Sequence, residues 1–188
     1  VDGVRTQTWT HRLGLAVERH LDGQGQVQGD QSGPNPTDRA KPGTKRSVLT
    51  EANGYPIALL IAPANVHDSK LLDATLEAVV IAPPKVSHHK QHLCLDKGYD
   101  TPDAEAAARV WGYEPHIRRI GEEKLDERGN KNRPARRWVS ERALSWWNGC
   151  RSILIRWCKK AANYKALIEL DCVLLWYRRI KTRDTVLG

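Results

Sequence analysis

The run Leu93-Cys94-Leu95 stops on Asp96, and Lys97-Gly98 follow at once. A short apolar run that ends on a carboxylate and a glycine reads as a buried strand carrying an acid to its end, where the chain turns towards solvent. A carboxylate so placed can hold a metal ion or a proton without being buried. Further on, Arg137-Trp138-Val139-Ser140-Glu141-Arg142 opens a helical pattern crowded with arginine. An acid at a strand end and an acid on a basic helix together point to a metal-dependent site for a phosphate backbone.

The 188 residues suffice for one domain with a proper core. A formal charge of +8 favours a polyanionic partner. The basic residues thicken from His116 to Lys160, around Glu141, and the acids there are mostly confined to Glu122–Glu127. Cys94, Cys150, Cys158 and Cys172 form no CxxC pair and show no His/Cys spacing, so neither a structural zinc nor a disulfide framework is expected. Each lies in an apolar pattern and is expected in the core. No apolar run is long enough for a membrane span and no signal peptide is visible, so the expected compartment is the cytoplasm. The chain has no methionine and begins at Val1, which suggests an alternative start codon or a piece of something longer.

Residues 1–31 carry little pattern: Leu13–Arg19 spans barely two helical turns, and Gly23–Gly29 reads as a loop. Ser32–Gly43 reads as an extended connection. Lys45–Thr50 and Tyr55–Ala62 flank Asn53-Gly54, a strong hairpin signal. Asp68 is expected to cap a helix built on Leu71, Leu72, Leu76, Val79 and Val80. After the strand of Asp96, Thr101 or Asp103 starts a helix that Gly112 ends. Glu114–Ile120 reads as a strand, Gly121–Pro134 as a surface loop, and two helices, roughly Val139–Trp157 and Asn163–Ile180, close the chain. The order is an α/β layer arrangement around a mixed sheet. His88, His89 and His92 fall on a polar linker and read as surface residues. Trp146, Trp147 and Trp157 read as core. Ser145 and Asn148 share a helix face with Glu141.

Seven motifs occur in order. They are Gly33-Pro34-Asn35-Pro36-Thr37-Asp38-Arg39, Gly43-Thr44-Lys45-Arg46, Asn65-Val66-His67-Asp68, Leu95–Asp100, Arg137–Arg142, Ile155-Arg156-Trp157 and Trp176-Tyr177-Arg178-Arg179. Together they resemble bacterial insertion-sequence transposases of the DDE type, the insertion-sequence-five group of the IS4-like superfamily, over about Ser32 to Arg179. The resemblance implies a ribonuclease H-like fold, a mixed sheet flanked by helices. It also implies three acids holding two Mg2+ (or Mn2+) ions, with Asp96 as the second acid and Glu141 as the third. Asp22, in Leu21-Asp22-Gly23, is the nearest match to the first, and Asp30 is the alternative. Lys41, Lys45, Arg46, Lys97, Arg137, Arg142 and Asn148 would contact DNA.

The implied partners are the terminal inverted repeats and target DNA, engaged by a homodimer in a synaptic complex at the bacterial nucleoid. Two departures mark this chain. Gln24–Gln28 lack strand alternation after Asp22, and Asp171 stands where the family helix is small and apolar. The expectation is a 5′-truncated chain, with a frameshift as a further option. Residues 1–31 would be poorly defined, authentic sequence would begin near Gly29, residues 32–188 would form the catalytic domain, and the first catalytic strand would be missing. The competing readings are a DNA-binding remnant without catalysis and a related nuclease.

Overall fold

The computed structural model describes residues 12–21, 29–81, 91–117 and 137–187, with side chains at 29–81, 91–117 and 142–182. Its first strand, Arg12–Leu21 (β1), lies where sequence patterning left a gap. The two-residue Gly33–Pro34 (β2) precedes the long hairpin Pro42–Glu51 (β3) and Pro56–Pro63 (β4). Asn53-Gly54 turns that hairpin as expected, with Gly54 at φ 87°. The Glu51 carboxylate steadies the turn by accepting from the backbone N–H of Asn53 at 2.9 Å and of Tyr55 at 3.2 Å.

The sheet runs β2-β3-β1, then Gln91–Leu95 (β5) and Tyr113–Ile117 (β6), with β4 on the other side of β3. β1 is antiparallel to β3 and parallel to β5, and β5 is parallel to β6. The sheet is therefore mixed, as expected. The expectation of a missing first strand is therefore corrected: β1 fills the central slot and pairs on both edges. Helical spacing misread it because Leu13, Leu15 and Val17 alternate with Gly14 and Ala16, which are apolar too, so the period-2 signal is faint.

Helices cover both faces. On one side a 3-10 turn, Asp68–Leu71, leads into Leu72–Glu77 (α1), followed later by Pro102–Val110 (α2). The Thr101 hydroxyl accepts from Ala104 N–H at 3.3 Å to cap α2, and Gly112 at φ 82° releases the chain after it. The α1 helix ends before Val79 and Val80, shorter than its apolar spacing suggested, and Val80 is exposed. On the other side lie Arg137–Asn148 (α3), the single turn Arg151–Leu154 (α4) and Ala161–Leu187 (α5). The helix expected to run unbroken to Trp157 breaks at Gly149-Cys150.

Alternation along β3 divides the core. Leu49 joins Leu72, Leu93 and Ala108 on the α1/α2 side, while Val48 joins Trp147, Ile153, Tyr164 and Ile168 on the other. Three cysteines, Cys150, Cys158 and Cys172, pack against this second cluster. Trp147 is core as expected, but Trp157 is exposed.

The segment from Ser32 to Gly43 is a folded turn rather than an extended connection. Asn35 is buried, and its side-chain carbonyl accepts from Thr37 N–H at 3.1 Å and Thr37 Oγ1–H at 2.8 Å. Gly33 has no room for a side chain: a Cβ there would sit 2.2 Å from Asn65 Oδ1 and 2.9 Å from Pro63 Cβ. Gly33→Ala should therefore destabilise the fold by about 1–3 kcal/mol through overpacking. Urea unfolding checks this; an unchanged midpoint would show that the turn is loosely held.

Candidate metal and DNA site

Asp96 follows β5 directly, is exposed, and caps the next turn, its Oδ1 accepting from Lys97 N–H at 2.7 Å. Lys97–Tyr99 form a 3-10 turn that meets the turn at Asp68–Leu71. Asp68 is not the cap that sequence suggested. His67 caps that turn with its ring nitrogen, and the Asp68 carboxylate instead pairs with Lys45 Nζ from β3. Lys45 also donates to the Val66 carbonyl.

Beneath the two acids lies Tyr99, buried among Leu93, Leu95 and Ala104. Burial pushes its hydroxyl well above the ordinary tyrosine range, and the nearby carboxylates of Asp68 and then Asp96 push it further; Ser47 opposes weakly. The Tyr99 oxygen makes no hydrogen bond of good geometry. Asp68, Asp96 and Lys45 thus share one patch where the two 3-10 turns meet. Sequence reasoning missed Lys45–Asp68 because the partners are 23 residues apart and each has a simpler local role.

Two expected DNA contacts are corrected. Lys45 is 1% exposed and Arg46 fully buried. Arg46 lies 5.3 Å from the centre of the Trp147 ring and donates to the Ile153 carbonyl at 3.5 Å. Neither presents its charge to a duplex. By contrast Lys41, Lys97, Arg142 and Asn148 are exposed, as is Ser145. Lys41 pairs with Asp38 at 3.4 Å. Arg142 donates to the Asn53 carbonyl at 3.3 Å and covers the Trp146 ring at 5.6 Å.

Asp22, and the side chains of Arg137 and Glu141, fall outside the described residues, as do His88 and His89. The backbone of Glu141 belongs to α3, which packs on β1 and β3. Among the described residues no three His, Cys, Asp or Glu side chains form a metal-holding group. Register bears on the first acid. Gly14 is level with Cys94, so Ala16 stands level with Asp96. Leu21, the residue before Asp22, is five positions further on, about 16 Å along the strand. The backbone N–H of Asp30, the alternative first acid, donates to the Lys159 carbonyl at 2.9 Å.

Comparison with known proteins decides the family. Residues 10–176, a span that takes in β1 and runs to the middle of α5, match the transposase DDE domain. The chain belongs to the DDE transposase family. It is 33% identical over 156 residues to a Burkholderia cepacia protein described as "Putative transposase for insertion sequence element IS402", covering 81% of this chain and 72% of that one. Among solved structures, the catalytic domain of Mos1 mariner transposase aligns over 78% of this chain and 74% of its own, at 10% identity and a TM-score of 0.42. DDE transposases in general use divalent metal ions and act on DNA. Asp96 suits such a cation as a hard oxygen donor, since one bond to Lys97 N–H leaves most of its lone pairs. No helix among the described residues is long and apolar enough to cross a membrane.

Two outcomes test this patch. Lys45→Met should cost on the order of 2 kcal/mol, less than a fully buried pair because Asp68 keeps some solvent. DNA affinity should hold, and the double variant with Asp68→Asn should recover part of the loss in urea unfolding. A lowered DNA affinity with unchanged stability would restore Lys45 as a phosphate contact. For Tyr99, a pKa raised above the unfolded value of about 10 contributes stability that is present below pH 10 and lost as pH rises past it. Tyr99→Phe should thus be as stable as the parent at pH 7 and resist alkali better above pH 10, measured by thermal melts across pH.

Proposed function

We propose that this chain is the catalytic domain of an insertion-sequence-five-group transposase that binds element ends and cuts and joins strands. The observation that carries this reading is Asp96, an exposed acid at the end of a central parallel strand, within a chain matching the DDE domain over nearly all of its length. Asp96, Glu141 and Asp22 are its proposed metal ligands. Bound Mg2+ or Mn2+ would make a water or a DNA 3′-hydroxyl nucleophilic and neutralise the leaving oxygen. Glu141 would come from a helix, which holds a ligand rigidly. Lys41, Lys97, Arg137 and Arg142 would track phosphates, with Asn148 exposed further along the helix of Arg142. The partners are the terminal inverted repeats and target DNA, bound by two copies in a synaptic complex, with the protein in the cytoplasm at the nucleoid.

A second reading, a DNA-binding remnant without catalysis, is favoured by the register. The strand position level with Asp96 holds Ala16 rather than an acid. Losing one carboxylate underneutralises the metals, and misplacement by about 1 Å can cost about a hundredfold in rate.

A nicking assay on terminal-repeat DNA separates the two readings, using the parent, Asp22→Ala and Asp96→Ala. Cutting by the parent that both substitutions abolish establishes catalysis with Asp22 as first acid. Cutting lost only with Asp96→Ala assigns the first acid elsewhere, with Asp30 next to test. No cutting, with binding intact, supports the remnant. In either case log affinity should fall with log salt at a slope of about −4 to −5 if five phosphates are neutralised.

A further inference from the structure

The inner face of α5 is spent on the core through Tyr164 and Ile168, but its outer face is apolar too. Leu167, Leu170, Val173, Leu174, Tyr177 and Ile180 are each between 36% and 62% exposed. The steps between them are three, three, one, three and three residues, so they form one stripe about 20 Å long. The stripe reads the same in both directions. Val173 and Leu174 stand at its centre, Leu170 and Tyr177 three residues out, Leu167 and Ile180 six out.

We propose that a second copy of this chain covers the stripe, α5 against α5 in antiparallel array around a two-fold axis between Val173 and Leu174. An isologous contact needs a self-complementary patch, and this stripe meets that condition. At the middle of the contact Leu170 lies against the partner copy's equivalent of Tyr177, seven residues apart and hence on one line of the helix.

Charge selects the antiparallel sense. Arg178 and Lys181 stand in the C-terminal half, while Glu169 and Asp171 lie in the N-terminal half. Parallel pairing would set the basic turns side by side, whereas antiparallel pairing sets each beside the acidic turn and opposes the helix dipoles. Asp171 and Arg178 are seven residues apart and therefore share one edge of the stripe. A two-fold axis keeps each edge facing its own equivalent. The Arg178 of one copy then falls level with residue 169 of the other, within about 3 Å along the axis of Asp171. Asp171 has room for such a donor: burial raises its pKa despite the Cys150 thiol and the Arg178 of its own chain, and its Oδ2 is buried without a hydrogen-bond partner.

This deepens the two-copy part of the proposed function but needs neither DNA nor metal, so the test uses the full chain alone. Sedimentation at micromolar concentration should show a dimer. The double variant Leu170→Glu/Tyr177→Glu should raise the dissociation constant at least about tenfold with unchanged circular dichroism. Leu170→Cys protein mixed with Tyr177→Cys protein should form a disulfide-linked pair under mild oxidation faster than either alone or the parent. A monomeric parent, a dimer unmoved by the double variant, or faster linkage of Leu170→Cys protein to itself would each overturn the proposal. None of those results would touch the nicking assay.

Discussion

Two cations on one central strand, Lys45 and Arg46, have no path to water. Neighbours on a strand point to opposite faces, so each layer of helices must answer one of them. The α1/α2 side supplies the Asp68 carboxylate and the Val66 carbonyl to Lys45. The α3/α5 side supplies the Trp147 ring and the Ile153 carbonyl to Arg46. Thr44 and Ser47 extend the same logic, the first taking a hydrogen bond from Arg156 at 2.7 Å, the second meeting Thr75 at 2.8 Å. An unanswered charge in this position would cost several kcal/mol. The sheet therefore specifies where both helical layers sit, and with them the turn that presents Asp96.

Arg156 shows how far that constraint reaches. It is buried, and beyond Thr44 it donates to the carbonyls of Cys158 at 2.9 Å and Lys159 at 2.8 Å. Lys159 in turn accepts from Asp30 N–H, and a Cβ on Gly29 would meet the Arg156 guanidinium at 2.7 Å. One side chain thus ties the segment ahead of β2, the central strand and the entry to α5. The Ile155-Arg156-Trp157 motif, which in sequence looks like one more basic stretch, is a structural joint.

What could be read from sequence was what is encoded locally. Asn53-Gly54 announced its hairpin because only residues tolerant of positive φ make that turn. Leu93-Cys94-Leu95-Asp96 announced a strand with an acid at its end. Thr101 and Gly112 bracketed α2 by capping chemistry. What failed depended on partners distant in sequence. Lys45 and Arg46 resemble surface cations until Asp68 and Trp147 are seen to enclose them. β1 has too little contrast between its faces to declare itself without β3 and β5 alongside. Trp157 was assigned to the core by composition, although the break at Gly149-Cys150 turns it to solvent.

The same distinction governs the site. A strand end fixes Asp96 because β5 is paired on both edges, by β1 and by β6. On the adjacent parallel strand, Arg12 to Gly14 pair with His92 to Cys94, and carrying that register on by two residues sets Ala16 level with Asp96. A residue further along β1 would reach that level only if the strand slipped along β3 by several residues. An odd slip would turn every β1 side chain to the opposite face. An even slip would keep the faces but break the run of partners from Leu13 opposite Glu51 to Leu21 opposite Gly43. Whether this chain cuts DNA is thus a question about the register of β1, and the Asp22→Ala and Asp96→Ala variants read that register through chemistry.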